Sequence, residues 1–184
     1  MGLQRTSAPA AEPVTLAEAK LHLRVDQNEE DDLIQSMIST ARMAAEQRLR
    51  RTLVESGWTL TLDAFGDLYE LPMPPLRNIE SIGYVDAAGE TQAMPSAAYV
   101  VDPTSEPGRV VPVSDWPVTA PRPAAVTVIF TAGYGEAGDV PSPIRQWVLL
   151  AVGDMYANRE GSAERPAVPQ DFADRLLDPY KIWG

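Results

Sequence analysis

The sequence predicts an α+β protein, with a helical core built from the N- and C-terminal helices and a small antiparallel β section inserted between them. Residues 28–51 and 143–159 repeat apolar side chains at helical spacing, whereas apolar and polar side chains alternate within the section at about 57–132. The 17 prolines cluster in this middle section and near the chain end, which favours short strands and bends there. Helices at both ends with strands between them are typical of α+β proteins.

The N-terminal region is predicted to contain a leader followed by a first helix. Residues 1–13 are small, polar and proline-containing, and we expect them to form a disordered leader. A helix at 15–24 follows, because Thr15 and Glu18 have the spacing of a capping box. We expect the folded domain to extend from residue 14 to residue 160.

Residues 28–51 form the most regular amphipathic helix of the sequence. Acidic side chains stand at its start and arginines at its end, as the helix dipole favours. Its apolar side chains share one face, which we expect to join the core. Arg42 and Glu46 lie on the opposite, polar face, and we predict that they contact a neighbouring subunit.

The helix at 143–159 carries apolar side chains around most of its circumference. Ile144 and Trp147 belong to a stripe that we expect to face the protein's own core. The apolar side chains outside this stripe need a second cover, either a neighbouring copy of the chain or further parts of a monomeric core. The subunit-interface candidates on this helix are Leu149, Leu150 and Tyr156.

The β section contains two clear strand patterns, and the C-terminal tail ends in aromatic side chains. Alternation is strongest in residues 126–131 and is also clear in residues 58–62, so both segments are predicted to be half-buried strands. Residues 161–184 form a C-terminal tail with an aromatic-rich end. Such an end either packs onto its own core or binds a partner, because Tyr and Trp give a large contact area at low entropic cost.

Composition excludes several kinds of site. There is no cysteine, and His22 is the one histidine, so disulfides and cysteine-containing zinc sites are excluded and a histidine-dependent triad is unsupported. No nucleotide-binding glycine motif is present, and we predict no catalytic residue, no metal ligand and no cofactor. A carboxylate pair in the β section, with Asp63, Asp102 and Asp115 as the candidates, leaves an acidic hydrolase open as an alternative.

The formal net charge of −11 restricts the partners. Residues 52–134 carry ten acidic and three basic side chains, which argues against a groove that holds nucleic acid by its phosphates. The same charge allows a surface past which DNA moves without binding. The longest apolar helix contains charged residues and is shorter than the roughly 20 residues that cross a bilayer, so no membrane partner is expected.

Several short motifs follow one another in a definite order. The first is VTLAEAKLHLRVD at residues 14–26, which runs into EDDLI at 30–34. The middle contains LPMPPL at 71–76, and the C-terminal part contains TAGYG, VPSPIRQ and YANRE at 131–135, 140–146 and 156–160. In this order and spacing the motifs resemble the head–tail connector (adaptor) proteins of tailed phages, prophages and gene transfer agents. The resemblance spans roughly residues 14–183.

This resemblance implies a structural protein with no catalytic residues. It implies a ring of about a dozen copies below the portal, joining the capsid to the tail around the DNA channel. The implied partners are other copies of the chain, the portal protein, the next neck or tail-completion protein, and passing DNA without sequence-specific binding. The implied location is the virion neck, after synthesis in the bacterial host cytoplasm. The residues expected to dock on the portal are Asp178, Tyr180, Ile182 and Trp183.

The alternative hypothesis from the same sequence is a tail or baseplate accessory binding module. It requires a small β domain that binds a partner but does not form a connector ring. The symmetry of the oligomer distinguishes these two readings.

Overall fold

The computed structural model describes residues 1–158 and 171–182. The chain divides into two compact units, which we call the β unit (residues 1–10 and 55–135) and the helical unit (residues 11–54 and 136–184). Across the described residues there are helices in the N- and C-terminal parts and two antiparallel sheets. The predicted α+β fold class, with a helical core and an inserted β section, is confirmed.

The helical unit contains four α-helices within the described ranges: α1 (Leu16–Leu23), α2 (Asp31–Leu49), α3 (Ser142–Ala157) and α4 (Asp171–Arg175). Helix α2 packs against α3, and α1 packs against both. The contact is made by the apolar stripes that the sequence predicts, because burying one face of each helix stabilises the packed helices. The most deeply buried side chains include Ile34, Ile38, Leu49, Ile144, Val148 and Val152.

The ends of these helices lie close to the predicted positions, and the start of α1 is capped by the predicted residues. The capping box of α1 is present: Thr15 Oγ1 accepts a 3.2 Å hydrogen bond from the Glu18 amide, and the Glu18 carboxylate accepts one of 2.8 Å from the Thr15 amide. Helix α2 begins at Asp31 rather than at 28, and it ends before Arg50, which adopts a left-handed conformation with φ of 55°. The Asn28 side chain, three residues before this start, accepts a 2.7 Å hydrogen bond from Lys20 Nζ.

The β unit contains eight strands arranged in two antiparallel sheets. The larger sheet has the order β1-β2-β8-β4-β5, and the smaller one has the order β3-β7-β6. The strands are β1 (Gly2–Ser7), β2 (Ser56–Leu62), β3 (Glu70–Leu71), β4 (Leu76–Val85), β5 (Thr91–Ala93), β6 (Tyr99–Asp102), β7 (Gly108–Pro112) and β8 (Val126–Ala132).

The core of the β unit lies on one face of the larger sheet, as the alternation predicts. In β8 every second residue from Val126 to Ala132 is buried, and the residues between them are half-buried. Trp58, Leu60 and Leu62 of β2 are buried in the same cluster. The period of two places one set of side chains on the core face, and burying that set specifies the register.

The predicted disordered leader is wrong for residues 2–7. These residues form β1, which pairs antiparallel with β2, with Gly2 opposite Thr61 and Arg5 opposite Trp58. Backbone pairing holds this strand, helped by the Arg5 guanidinium, which lies 4.8 Å from the centre of the Trp58 ring. Most side chains of β1 are exposed, so its sequence lacks the apolar alternation by which a strand is recognised.

Candidate interaction surfaces

Arg42 and Glu46, predicted to contact a neighbouring subunit, are buried inside their own helical unit. Their exposed fractions are 6% and 3%. Arg42 donates to the Glu46 carboxylate at 2.8 Å and to the Glu12 carboxylate at 2.7 Å. The second carboxylate oxygen of Glu46 accepts a 3.1 Å hydrogen bond from the Leu53 amide. The surface position predicted for this pair is therefore corrected, because the two charges neutralise each other and can leave the solvent together.

The candidates on α3 lie at or near the surface. Leu149 and Leu150 are half-buried, and Tyr156 is half-buried with its hydroxyl donating to the Glu30 carboxylate. Leu149 also lines an open cavity of about 210 Å³ together with Val14 and the first turn of the helix. These three side chains are not sealed in the interior and remain available as candidates for a subunit contact.

Arg145 fixes the wall of this cavity. Its Nε atom donates a 2.9 Å hydrogen bond to the Pro13 carbonyl oxygen, and its guanidinium also contacts the Glu18 carboxylate. The hydrogen bond from the Thr15 amide, with further support from Arg145, holds the pKa of Glu18 below its ordinary value. The segment before α1 is thereby attached to α3 by charge-assisted hydrogen bonds.

Most of the predicted portal-docking residues belong to a segment that is attached to its own protomer. The Ile182 amide donates a 3.2 Å hydrogen bond to the Leu49 carbonyl oxygen at the end of α2. Leu177, between α4 and the short 3-10 helix Asp178–Tyr180, is 1% exposed. Asp178 is exposed, Tyr180 and Ile182 are half-buried, and Trp183 lies outside the described residues.

Asp174 is a second attachment point of the same segment. Its carboxylate accepts hydrogen bonds from Arg48 and, at 3.2 Å, from Trp147 Nε1, while the Arg48 guanidinium lies 5.5 Å from the Trp147 ring. The hydrogen bond from Arg48 is the main cause of a lowered Asp174 pKa. Sequence reasoning missed this group, since residues far apart in the chain supply its members and no local motif marks it.

A second surface that sequence reasoning missed lies on the smaller sheet of the β unit. Val100 of β6 and Val111 of β7 are directly opposite each other and both are exposed. Val113, two residues beyond Val111, is exposed as well. We call these three side chains the valine face. The sequence signal for this surface is the pair of adjacent valines in VVD and in RVVPV. In a strand, one valine of each pair faces inward and the next faces outward.

Two of the three carboxylates of the hydrolase alternative, Asp63 and Asp102, have structural roles, and Asp115 is exposed. Asp63 accepts a 2.9 Å hydrogen bond from the Ala124 amide. Asp102 accepts hydrogen bonds from the side chains of Ser105 and Thr104, which lower its pKa well below the ordinary value. A general acid of a glycosidase needs a raised pKa, whereas the pKa of Asp102 is lowered, so Asp102 is unsuited to that role. Within residues 1–158 and 171–182, no cluster of His, Asp and Glu has metal-binding geometry.

Comparison with known proteins identifies the relationship. Residues 13–75 match the family described as phage gp6-like head–tail connector proteins. The chain also superposes on a protein from the neck of an empty gene transfer agent particle, with a TM-score of 0.84 and 25% sequence identity, covering 100% of this chain and 97% of that one. The resemblance to phage head–tail connectors is confirmed. No curated protein matches this connector-like chain at a significant level.

Two further structures show the same correspondence at the same identity and coverage. One is the virion of a native gene transfer agent particle, with a TM-score of 0.82, and the other is the neck of a native particle computed with C12 symmetry, with a TM-score of 0.79. The neck of the empty particle was computed with C6 symmetry. The family and these structures confirm the prediction that the connector-like chain has a structural rather than an enzymatic role. No helix in the described part of the chain is long and apolar enough to span a bilayer.

Proposed function

We propose that this chain is a structural head–tail connector (adaptor) at the neck of a tailed phage or phage-like particle. The observation that carries this proposal is the correspondence with a gene transfer agent neck protein, at a TM-score of 0.84 over 100% of this chain and 97% of that one. The family match in residues 13–75 supports it independently, because it rests on the sequence from α1 to just past β3 and not on the fold. Folds alone host many functions, so the agreement of both comparisons matters.

The connector acts as a ring of about a dozen copies that surrounds the DNA channel. Support comes from the cyclic symmetry with which the related neck structures were computed. A closed ring of identical chains joins two different patches of each copy, and both units of this chain expose apolar side chains. These include Leu21 and Met43 in the helical unit and Val100 and Val113 in the β unit.

The channel function requires DNA to pass without being retained. The net charge of −11 supports this, because an acidic wall repels phosphates and offers few counterion-releasing contacts. In this arrangement the ring acts as a passage and has no preferred DNA sequence.

The portal protein is the proposed partner above the ring, and the next neck or tail-completion protein is the partner below it. The C-terminal segment is the proposed portal contact, with Asp178, Tyr180, Ile182 and Trp183 as its residues. The attachment of this segment at Leu49 supports the proposal, because a segment already held in place loses little conformational entropy on binding.

The experiment is to record negative-stain images and native masses of the purified chain, alone and mixed with the portal protein from the same genome. We expect rings on the portal, and at high concentration rings of the free chain. A chain that remains monomeric both alone and in the presence of the portal protein would contradict the connector role.

Point variants test the portal contact more cleanly than a deletion, since removing residues 178–184 also removes the hydrogen bond to Leu49. Asp178→Ala combined with Tyr180→Ala should weaken portal binding by at least about tenfold, which corresponds to about 1.4 kcal/mol. Glu80→Ala, at an exposed position of the β unit, is the control and should bind as the wild type does. Equal affinities for the two variants would remove the docking role of the C-terminal segment.

A further inference from the structure

The valine face is an exposed apolar surface on a sheet whose opposite side belongs to the core. Val110 and Val101, which neighbour Val111 and Val100 in sequence, pack into the core of the β unit. The side chains that point the other way have exposed fractions of 60% for Val100, 44% for Val111 and 64% for Val113. Contiguous apolar patches with a polar rim mark interaction sites, whereas single exposed apolar side chains are ordinary.

The rim of this face is polar and aromatic. Arg109 precedes Val111 by two residues on the same side of β7, and its Nε atom lies 3.8 Å from the Glu70 carboxylate. The Arg109 guanidinium also lies 5.5 Å from the ring centre of Tyr69, whose side chain is exposed. An apolar centre bordered by Arg, Tyr and a carboxylate has the anatomy of a protein–protein contact.

We propose that the valine face is one of the two patches through which neighbouring copies of this chain contact each other in the ring. This inference rests on the connector function proposed above. The related neck structures, computed with cyclic symmetry, favour a second copy as the occupant. DNA is disfavoured because the β unit carries ten acidic and four basic side chains.

The contact is between unlike surfaces. In a ring, each copy offers one patch to the copy before it and a different patch to the copy after it. The valine face of one copy therefore contacts a different surface of the next copy and does not contact the valine face of that copy. This distinction separates a ring from a two-fold dimer and can be measured.

The first test compares two substitutions that add the same charge. Val113→Asp places a carboxylate on the valine face, whereas Val118→Asp places one at a valine that is 76% exposed and lies between β7 and β8, outside the smaller sheet. We expect Val113→Asp to raise the concentration needed for ring assembly by at least about tenfold and Val118→Asp to change it less than about twofold. The measurement is sedimentation velocity, with circular dichroism spectra to verify folding.

A second variant separates assembly from folding. Val100→Thr keeps the β-branched shape that strands favour and replaces one methyl group by a hydroxyl. It should fold with an unchanged spectrum and still assemble more weakly than Val118→Thr. If both variants assemble alike, the valine face is not in the contact.

The absence of cysteine from the chain permits a direct test of burial. Val100→Cys and Val118→Cys each create one thiol, whose rate of modification by a maleimide is measured before and after ring assembly. We expect at least about tenfold protection of the thiol at position 100 in the ring and little protection at position 118. Equal modification rates at position 100 in free and assembled protein would overturn the proposal.

The outcomes distinguish this inference from the function on which it rests. Rings formed by Val113→Asp as readily as by the wild type would refute the valine-face contact and leave the connector role standing. A wild type that never assembles, alone or on the portal, would overturn both. Disulfide-linked pairs as the main product of the Val100→Cys variant under oxidation would show two like faces in contact and would also refute the proposal.

Discussion

The Nε atom of Arg51 donates a 2.7 Å hydrogen bond to the Tyr180 carbonyl oxygen, although 129 residues separate the two along the chain. Arg51 is 3% exposed, so the donor of this part-buried bond is shielded from bulk water. Together with the bond from the Ile182 amide to Leu49, it attaches the C-terminal segment to the end of α2. The position of the segment that we propose to dock on the portal therefore depends on a side chain of the N-terminal half.

Replacing Arg51 by methionine should lower the free energy of unfolding by about 1–3 kcal/mol, because the Tyr180 carbonyl oxygen loses its charged donor. Urea unfolding of the purified variant measures the change. Arg122→Met, at an exposed arginine of the β unit, is the control and should stay within about 0.5 kcal/mol of the wild type. Matching urea midpoints for the two variants would show that the bond contributes nothing measurable.

Replacing Arg42 by methionine should lower the free energy of unfolding further, by about 3–5 kcal/mol, because the Glu46 and Glu12 carboxylates lose the cation that they share. Thermal and urea unfolding would both report the loss. A variant as stable as the wild type would mean that methionine packing offsets the lost ion pairs, contrary to this prediction.

Asp174 should contribute to the pH dependence of stability. Its pKa is lowered in the folded state from an ordinary value of 3.8, mainly by the hydrogen bond from Arg48, so the folded state binds fewer protons than the unfolded state near that pH. The stabilisation is present above the unfolded pKa and is lost as pH falls through the lower folded pKa. Asp174→Asn should therefore lower Tm at pH 7, with the difference from the wild type shrinking below about pH 4.

The control for this titration is Asp115→Asn, at an exposed position in the β unit. Its Tm at pH 7 should stay close to that of the wild type, because the exposed side chain has few contacts to lose. A difference between Asp174→Asn and the wild type that stays constant from pH 7 to about pH 3 would argue that the lost hydrogen bonds, and not the carboxylate charge, cause the change.

Ring assembly should strengthen as salt is added. Copies with a net charge of −11 repel each other, and salt screens this repulsion while leaving the apolar contact of the valine face intact. Sedimentation velocity at about 0.05 M and about 0.5 M NaCl should show assembly at lower protein concentration in the higher salt. Dissociation at the higher salt would instead indicate a contact held by ion pairs.

The elements that follow a burial pattern could be predicted from the sequence, and those held by backbone or charge could not. Strand β8 was predicted because burial of one face fixes Val126, Val128 and Phe130 at every second position. The capping box of α1 was predicted for a similar reason, since Thr15 and Glu18 contact each other across a single turn. In both cases the determining contacts are local or periodic.

Arg42 and Glu46 were predicted at the surface because charged side chains are rarely buried alone. What the sequence does not reveal is that Glu12, thirty residues before Arg42, comes within 2.7 Å of its guanidinium. The valine face was missed for a related reason. Two neighbouring valines in a strand identify an apolar strand, but which of them faces inward depends on the partner strands.

Strand β1 also has a consequence for how the protein is prepared. A version trimmed of its first thirteen residues would lose the strand that covers the outer edge of β2. The amide and carbonyl groups of β2 that now hydrogen-bond to β1 would be unpaired. Unpaired edge strands form hydrogen bonds with strands of other molecules. Such a version would aggregate non-specifically, and its aggregates could be mistaken for assembled rings.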